Sequence, residues 1–149
     1  MYLEGILAIG GKPGLYKMVS QARNSIVVES LDNGKRFPAF ASAQISALED
    51  VAIYTNDEEK PLVEVFNNIF ELYDGEKILS HKSPKEDILA FMEKILPDYD
   101  KDRVHPGDMK KIIQWYNILI DKDILNEKAM EEYEKELAEK EAEEDDKDE

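Results

Sequence analysis

The chain contains no cysteine, which excludes a disulfide framework, a thiolate metal site and a catalytic thiol. A reducing cytosol suits that composition, and a cytoplasmic location is expected. Histidine is almost as scarce. Only His81 and His105 occur, and neither has the i+3 or i+4 partner through which a helix presents two ligands to zinc. No run approaches the ~20 apolar residues of a membrane helix, so no membrane partner is expected. The apolar start, Met1 to Gly10, lacks the basic leader and the length of a secretory signal.

A surplus of positive charge is missing as well. The formal net charge is −15, and residues 127–149 alone hold 13 Asp/Glu against 4 Lys. Residues 1–56 balance at 5 basic against 5 acidic side chains, and the stretch 101–111, with 4 basic and 2 acidic, leans the other way. Phosphate binding relies on a basic field, so nucleic acid is a partner the charge disfavours.

What is present is a change of period. Gly10-Gly11-Lys12-Pro13-Gly14 separates a first short apolar run from Leu15 to Gln21. Arg23-Asn24 then reads as a tight turn into Ser25 to Leu31, which is rich in β-branched residues. Asp32-Asn33-Gly34-Lys35 has the residues of a two-residue hairpin turn, returning through Arg36 to Phe40, where Pro38 points to an edge or bulge. A break over Ala41 to Leu48 leads to Val51–Thr55, read as the last strand. Five short strands in so little chain predict a small SH3-like β-barrel.

From Pro61 the pattern is helical. Leu62, Val65, Phe66, Ile69, Phe70 and Tyr73 share one face, with Gly75 as the stop. Ser83-Pro84-Lys85-Glu86 reads as a capping box opening a helix that buries Ile88, Phe91, Met92, Ile95 and Leu96. Pro106-Gly107-Asp108 precedes a third helix carrying Met109, Ile112, Ile113, Tyr116, Leu119 and Ile120 on one stripe, with Trp115 and Ile118 on a second. Apolar on two sides, that helix is expected to be central, packed on its sisters and on the barrel. The acidic tail keeps only Met130, Tyr133 and Leu137 as a thin stripe, and is expected to begin helical and then fray. The predicted class is therefore α+β: a barrel over 1–58, a three-helix lobe over 59–126, and a partly helical or disordered tail over 127–149.

No chemical motif is complete. The glycine cluster lacks phosphate-loop spacing and runs into a strand. Asp98, Asp100 and Asp102 begin like a calcium loop, but Arg103 and Met109 stand where that loop needs glycine and glutamate. The second and third helices are too far apart for a helix-turn-helix. No catalytic residue, metal ligand or cofactor is assigned. An unrecognised enzyme would instead reveal itself as a deep pocket of convergent titratable groups. The place to look for a ligand is the set of basic and aromatic turn residues in the barrel, Lys12, Tyr16, Lys17, Lys35, Arg36 and Phe37, with Phe40 alongside. The leading expectation is a non-enzymatic module that binds a protein partner there. The alternative is association with nucleic acid or the ribosome.

The stretches Gly11 to Gln21, Val28 to Leu31, Gly34 to Ala39, Ala52 to Thr55, Leu96 to Val104 and Lys110 to Leu119 resemble a family of short, uncharacterised Bacteroidetes proteins grouped as a domain of unknown function. The likeness spans residues 1 to about 125 and leaves out the tail. It implies a small β-barrel followed by a helical lobe, and it implies no activity and no functional residues.

Overall fold

The computed structural model describes residues 1–147. The first part is an antiparallel sheet of β1 (Ile6–Ile9), β2 (Tyr16–Gln21), β3 (Ser25–Ser30), β4 (Arg36–Phe40) and β5 (Ile45–Ala47), in the order β4-β3-β2-β1-β5. A 3-10 turn, Leu48–Asp50, leads to a separate hairpin of β6 (Ala52–Tyr54) and β7 (Glu59–Pro61). Four helices follow: α1 (Leu62–Leu72), α2 (Lys85–Ile95), α3 (Pro106–Asp121) and α4 (Glu127–Lys147). The class is α+β.

The sheet is not a closed barrel. Its hydrogen-bonded order ends at β4 on one side and β5 on the other, which corrects the SH3-like closure expected from strand spacing. The edges explain this. β5 has three residues, and β4 sets Pro38, which has no N–H to donate, opposite Val27 in the middle of its ladder. The sheet still coils. Along β1 the side chains alternate: Leu7 and Ile9 join Tyr16, Val28 and Ala39 in one cluster, while Ile6 joins Leu3, Leu15, Leu48 and the helical core in another. Val28 is 0% exposed although the helices pack on the opposite cluster, so its cover comes from the sheet's own curvature.

Two strand assignments change. The expected break at Ala41 to Leu48 supplies β5, whose three residues are too few for a period of two to be read. The expected last strand leaves the sheet: Ala52, Ile53 and Tyr54 pair with Pro61, Lys60 and Glu59. The loop before α3 docks on that hairpin, with the Asn56 N–H donating to the Asp98 carbonyl at 2.9 Å and the Asp100 N–H to the Tyr54 carbonyl at 2.9 Å. The turn between β3 and β4 is also longer than the expected two residues, running from Leu31 to Lys35. There Gly34 takes φ 72°, and the Ser30 hydroxyl accepts from the Asp32 N–H at 3.2 Å.

Helix α1 buries Leu62, Val63, Val65, Phe66 and Ile69. Its end uses Asp74 in the left-handed region, φ 54°, followed by Gly75 at 75°, whose N–H returns to the Phe70 carbonyl at 2.9 Å. The capping box expected at Ser83 does not form. Pro84 is the N-cap, without a side-chain cap, and its carbonyl accepts from Asp87 and Ile88 at 3.0 and 3.2 Å. The carboxylate that closes on a helix start is Asp108, which accepts from the His105 N–H at 3.0 Å at the head of α3. Helix α4 is anchored by buried Met130 and half-buried Tyr133. It then continues helical to Lys147, with Leu137 already 41% exposed, rather than fraying early. Residues 148 and 149 lie outside the described part.

Candidate functional site

Helix α3 has two faces. Ile112, Ile113, Tyr116 and Leu119 are buried. Lys111, Gln114, Trp115, Ile118 and Lys122 fall at i, i+3, i+4, i+7 and i+11, a second stripe on a helix of 3.6 residues per turn. The expected central place of α3 agrees with the core, which joins its buried face to α1, α2 and the sheet residues Ile6 and Leu15. On the second stripe Trp115 and Ile118 pack against that core and stay half-buried, so that part of each also lines a groove.

The opposite wall is the Gly10–Tyr16 segment with Ser46 of β5 and, towards the start of α3, residues 51–54 with Arg103 and Val104. Three adjoining hollows make up the groove, of about 740, 370 and 370 Å³. Gln114 lines both the first and the second, and Lys111, Trp115 and Ser46 line both the second and the third. Asp108 and Lys122 mark its two ends on the helix, ~21 Å apart at 1.5 Å per residue.

The wall of the largest hollow is held by hydrogen bonds from α3. Asn117 Oδ1 accepts from the Ile78 N–H at 2.8 Å, and its Nδ2 donates to the Leu79 carbonyl at 3.0 Å. The Tyr116 hydroxyl donates to the Glu76 carbonyl at 3.2 Å. Lys77 Nζ lies 2.9 Å from Asp121 Oδ2, and Lys122 Nζ reaches the Asp32 carbonyl at 3.4 Å. His81 also lines this hollow. Here, then, is a pocket with titratable groups, but Lys77 and Asp121 neutralise each other.

Burial pushes the Tyr116 hydroxyl up to about 12 and raises Tyr2 as well, again through burial first. The unfolded chain releases a tyrosine proton near pH ~10, whereas the folded chain keeps that of Tyr116 until about 12. Stability is therefore full below pH ~10 and falls as the pH rises through this window. Urea midpoints at pH 9 and pH 11.5 should show the loss, and Tyr116→Phe should reduce the difference between them.

The six residues nominated from sequence separate into two groups. Lys12, Tyr16 and Phe37 come together: Lys12 Nζ sits 3.9 Å from the Phe37 ring centroid, and the Tyr16 and Phe37 rings meet edge-on at 5.5 Å. Tyr16 is buried, however, with its hydroxyl donating to the Pro13 carbonyl at 2.9 Å, so it is part of the sheet's cluster. Lys17 and Arg36 flank Glu29 across three strands, in register on both sides, with Arg36 Nε 3.1 Å from Glu29 Oε1. Lys35 is exposed in the β3–β4 turn. Lys12 and Tyr16 line the groove; Lys17, Lys35, Arg36 and Phe37 are not among its lining residues. Lys111, Gln114, Trp115, Ile118 and Asn117 are not among the residues nominated from sequence; the second stripe is the signal for the first four, and Asn117 has none.

Asp100, from the calcium-like run, ties its own loop together. Its Oδ1 accepts from the Asp102 N–H at 2.9 Å, and its Oδ2 from Arg103 Nε at 2.9 Å. Donation from the Asp102 N–H foremost, against burial and with help from Arg103, holds its carboxyl below the usual carboxylate range. Arg103 in turn lies 4.6 Å from the Tyr54 ring. Among the described residues no group of three His, Asp or Glu is placed to hold a metal ion.

Residues 3–48 match the family described as Domain of unknown function (DUF5606), and residues 51–119 the family described as Domain of unknown function (DUF6852). The chain is 43% identical to a Bacteroides vulgatus protein whose solution NMR structure comes from the Northeast Structural Genomics Consortium. That match covers 83% of this chain and 89% of the other, with a TM-score of 0.70. The chain belongs to this family of uncharacterised Bacteroidetes proteins. No curated protein matches it. Within the family frame, the two matched segments meet between residues 48 and 51, at the 3-10 turn. The groove draws on both, taking Gly10–Gly14 and Ser46 from the first and Lys111, Gln114 and Trp115 from the second. No helix of the described residues is long and apolar enough to cross a membrane.

Proposed function

We propose that the chain is a cytoplasmic, non-enzymatic protein-interaction module that seats a polypeptide partner in the groove between α3 and the sheet. Half-buried Trp115 carries this reading: packed against the core on one side, it lines two neighbouring hollows with the rest of its surface, and such residues dominate binding energy at protein interfaces. Three charged side chains of the largest hollow support it, since Lys77 pairs with Asp121 and Lys122 with a main-chain carbonyl, which are structural rather than catalytic engagements. Lys12 remains part of the proposed surface. Arg36 gives way to α3 residues because Glu29 engages it, and Lys17 because it lies outside the groove.

A photo-crosslinking residue at position 114 tests this in the lysate of a Bacteroidetes bacterium. A discrete protein adduct is expected, absent with the same probe at exposed Phe40 and lost on Trp115→Ala. An adduct that disappears on nuclease treatment would transfer the surface to nucleic acid. Equal labelling from positions 114 and 40 would remove the groove from consideration.

A further inference from the structure

We infer that the partner segment seated in this groove is acidic, with carboxylates held by Lys12 and Lys111 and an apolar side chain lying against Trp115. The inference rests on the module reading above and names the chemistry of its ligand. Its basis is the central hollow. Lys12, Lys111 and Trp115 line it with Gln44, Ser46 and Gln114, and its lining contains no Asp or Glu, although the chain holds 34 acidic residues in 149. Among the described residues neither lysine has a carboxylate within 4.0 Å; the ion pairs there involve the Met1 ammonium, Arg36, Lys77, Lys101 and Arg103. A positive hollow in so acidic a molecule selects ligands by sign. The hollows that share its lining residues extend the surface along ~21 Å of α3; Asp32 and Asp121 line one of them and Asp108 the other, so the segment's carboxylates belong at the centre. An extended segment of about six residues spans that length at ~3.3 Å each, whereas a small anion would fill only the centre.

The molecule's own acidic helix is held elsewhere. Met130 is buried in the main core and Tyr133 packs on it, and no residue of α4 lines any of the three hollows. The segment is therefore assigned to a separate protein.

Trp115 is the single tryptophan, so its emission reports occupancy directly. The full chain is titrated with three capped, tryptophan-free heptapeptides in which Val and a central Phe alternate with Glu, with Gln or with Lys. The Glu peptide should give a saturable blue shift, bind at least about tenfold more tightly than the Gln peptide, and weaken as salt is raised. The Lys peptide should give none. Lys12→Glu with Lys111→Glu should weaken the Glu peptide by at least about tenfold and gain binding of the Lys peptide. Both lysines are exposed, and unchanged circular dichroism checks the fold. Lys12→Gln with Lys111→Gln should level the Glu and Gln peptides without adding charge.

If the Gln peptide binds the wild type as well as the Glu peptide, or charge reversal changes nothing, the acidic assignment is overturned while the module reading stands. If none of the peptides moves the emission, both fall. Self-association of the free chain that vanishes on charge reversal, seen by sedimentation velocity, would give the groove to the tail of a second copy and overturn a separate partner.

Discussion

Phe66→Ala should lower the free energy of unfolding by about 3–5 kcal/mol, the range for removing a buried aromatic ring. Phe66 is 0% exposed and stands 6.2 Å, centroid to centroid, from Tyr116. It belongs to the cluster that joins α1, α2 and α3 to Leu3, Ile6, Leu15 and Leu48. A cavity there loosens the helices and the sheet together. Urea denaturation should therefore show the far-ultraviolet signal and Trp115 fluorescence moving to lower urea in step. A shift under about 1 kcal/mol, or two separate transitions, would mean that this ring does not couple the two parts.

Asn117→Leu should cost about 2–4 kcal/mol and open the groove. The replacement keeps much of the volume and removes the partners of the Ile78 N–H and the Leu79 carbonyl, each ~1–3 kcal/mol when left unsatisfied away from water. Hydrogen exchange at residues 76–81 should quicken well beyond the global change, because that segment is joined to α3 through Asn117, Tyr116 and the Lys77–Asp121 pair. Asn117→Asp is the control, since it keeps the acceptor for Ile78 and loses only the donor. Exchange that rises equally everywhere would place the effect in the core instead of the wall.

The helices were legible because their signal is long. Eleven to sixteen residues of period 3.6 define the buried faces of α1, α2 and α3, and tertiary packing follows that stripe. Helix starts were less so: Ser83 has the right identity for a cap, yet Pro84 takes the position. The sheet was readable strand by strand and not in its closure, which depends on three residues of β5 and on one proline in β4. Arg36 reads as free in sequence because its partner Glu29 lies on the neighbouring strand, a cross-strand neighbour no linear spacing reveals. Trp115 shows the same limit from the other side. Its stripe was visible, but whether a second layer covers a stripe is decided by the path of the chain between Gly10 and Tyr16.

The shared core also bears on synthesis. When a ribosome has delivered only the residues up to Leu48, the oily underside of the nascent ribbon, Ile6, Leu15 and Leu48 among it, has no counterpart to rest on. That counterpart arrives with Phe66, Met92 and Ile113, as much as half a chain later. The first third must wait, exposed to holding factors, until the rest emerges, and a gene split at the 48–51 junction would yield two products that each display a sticky surface.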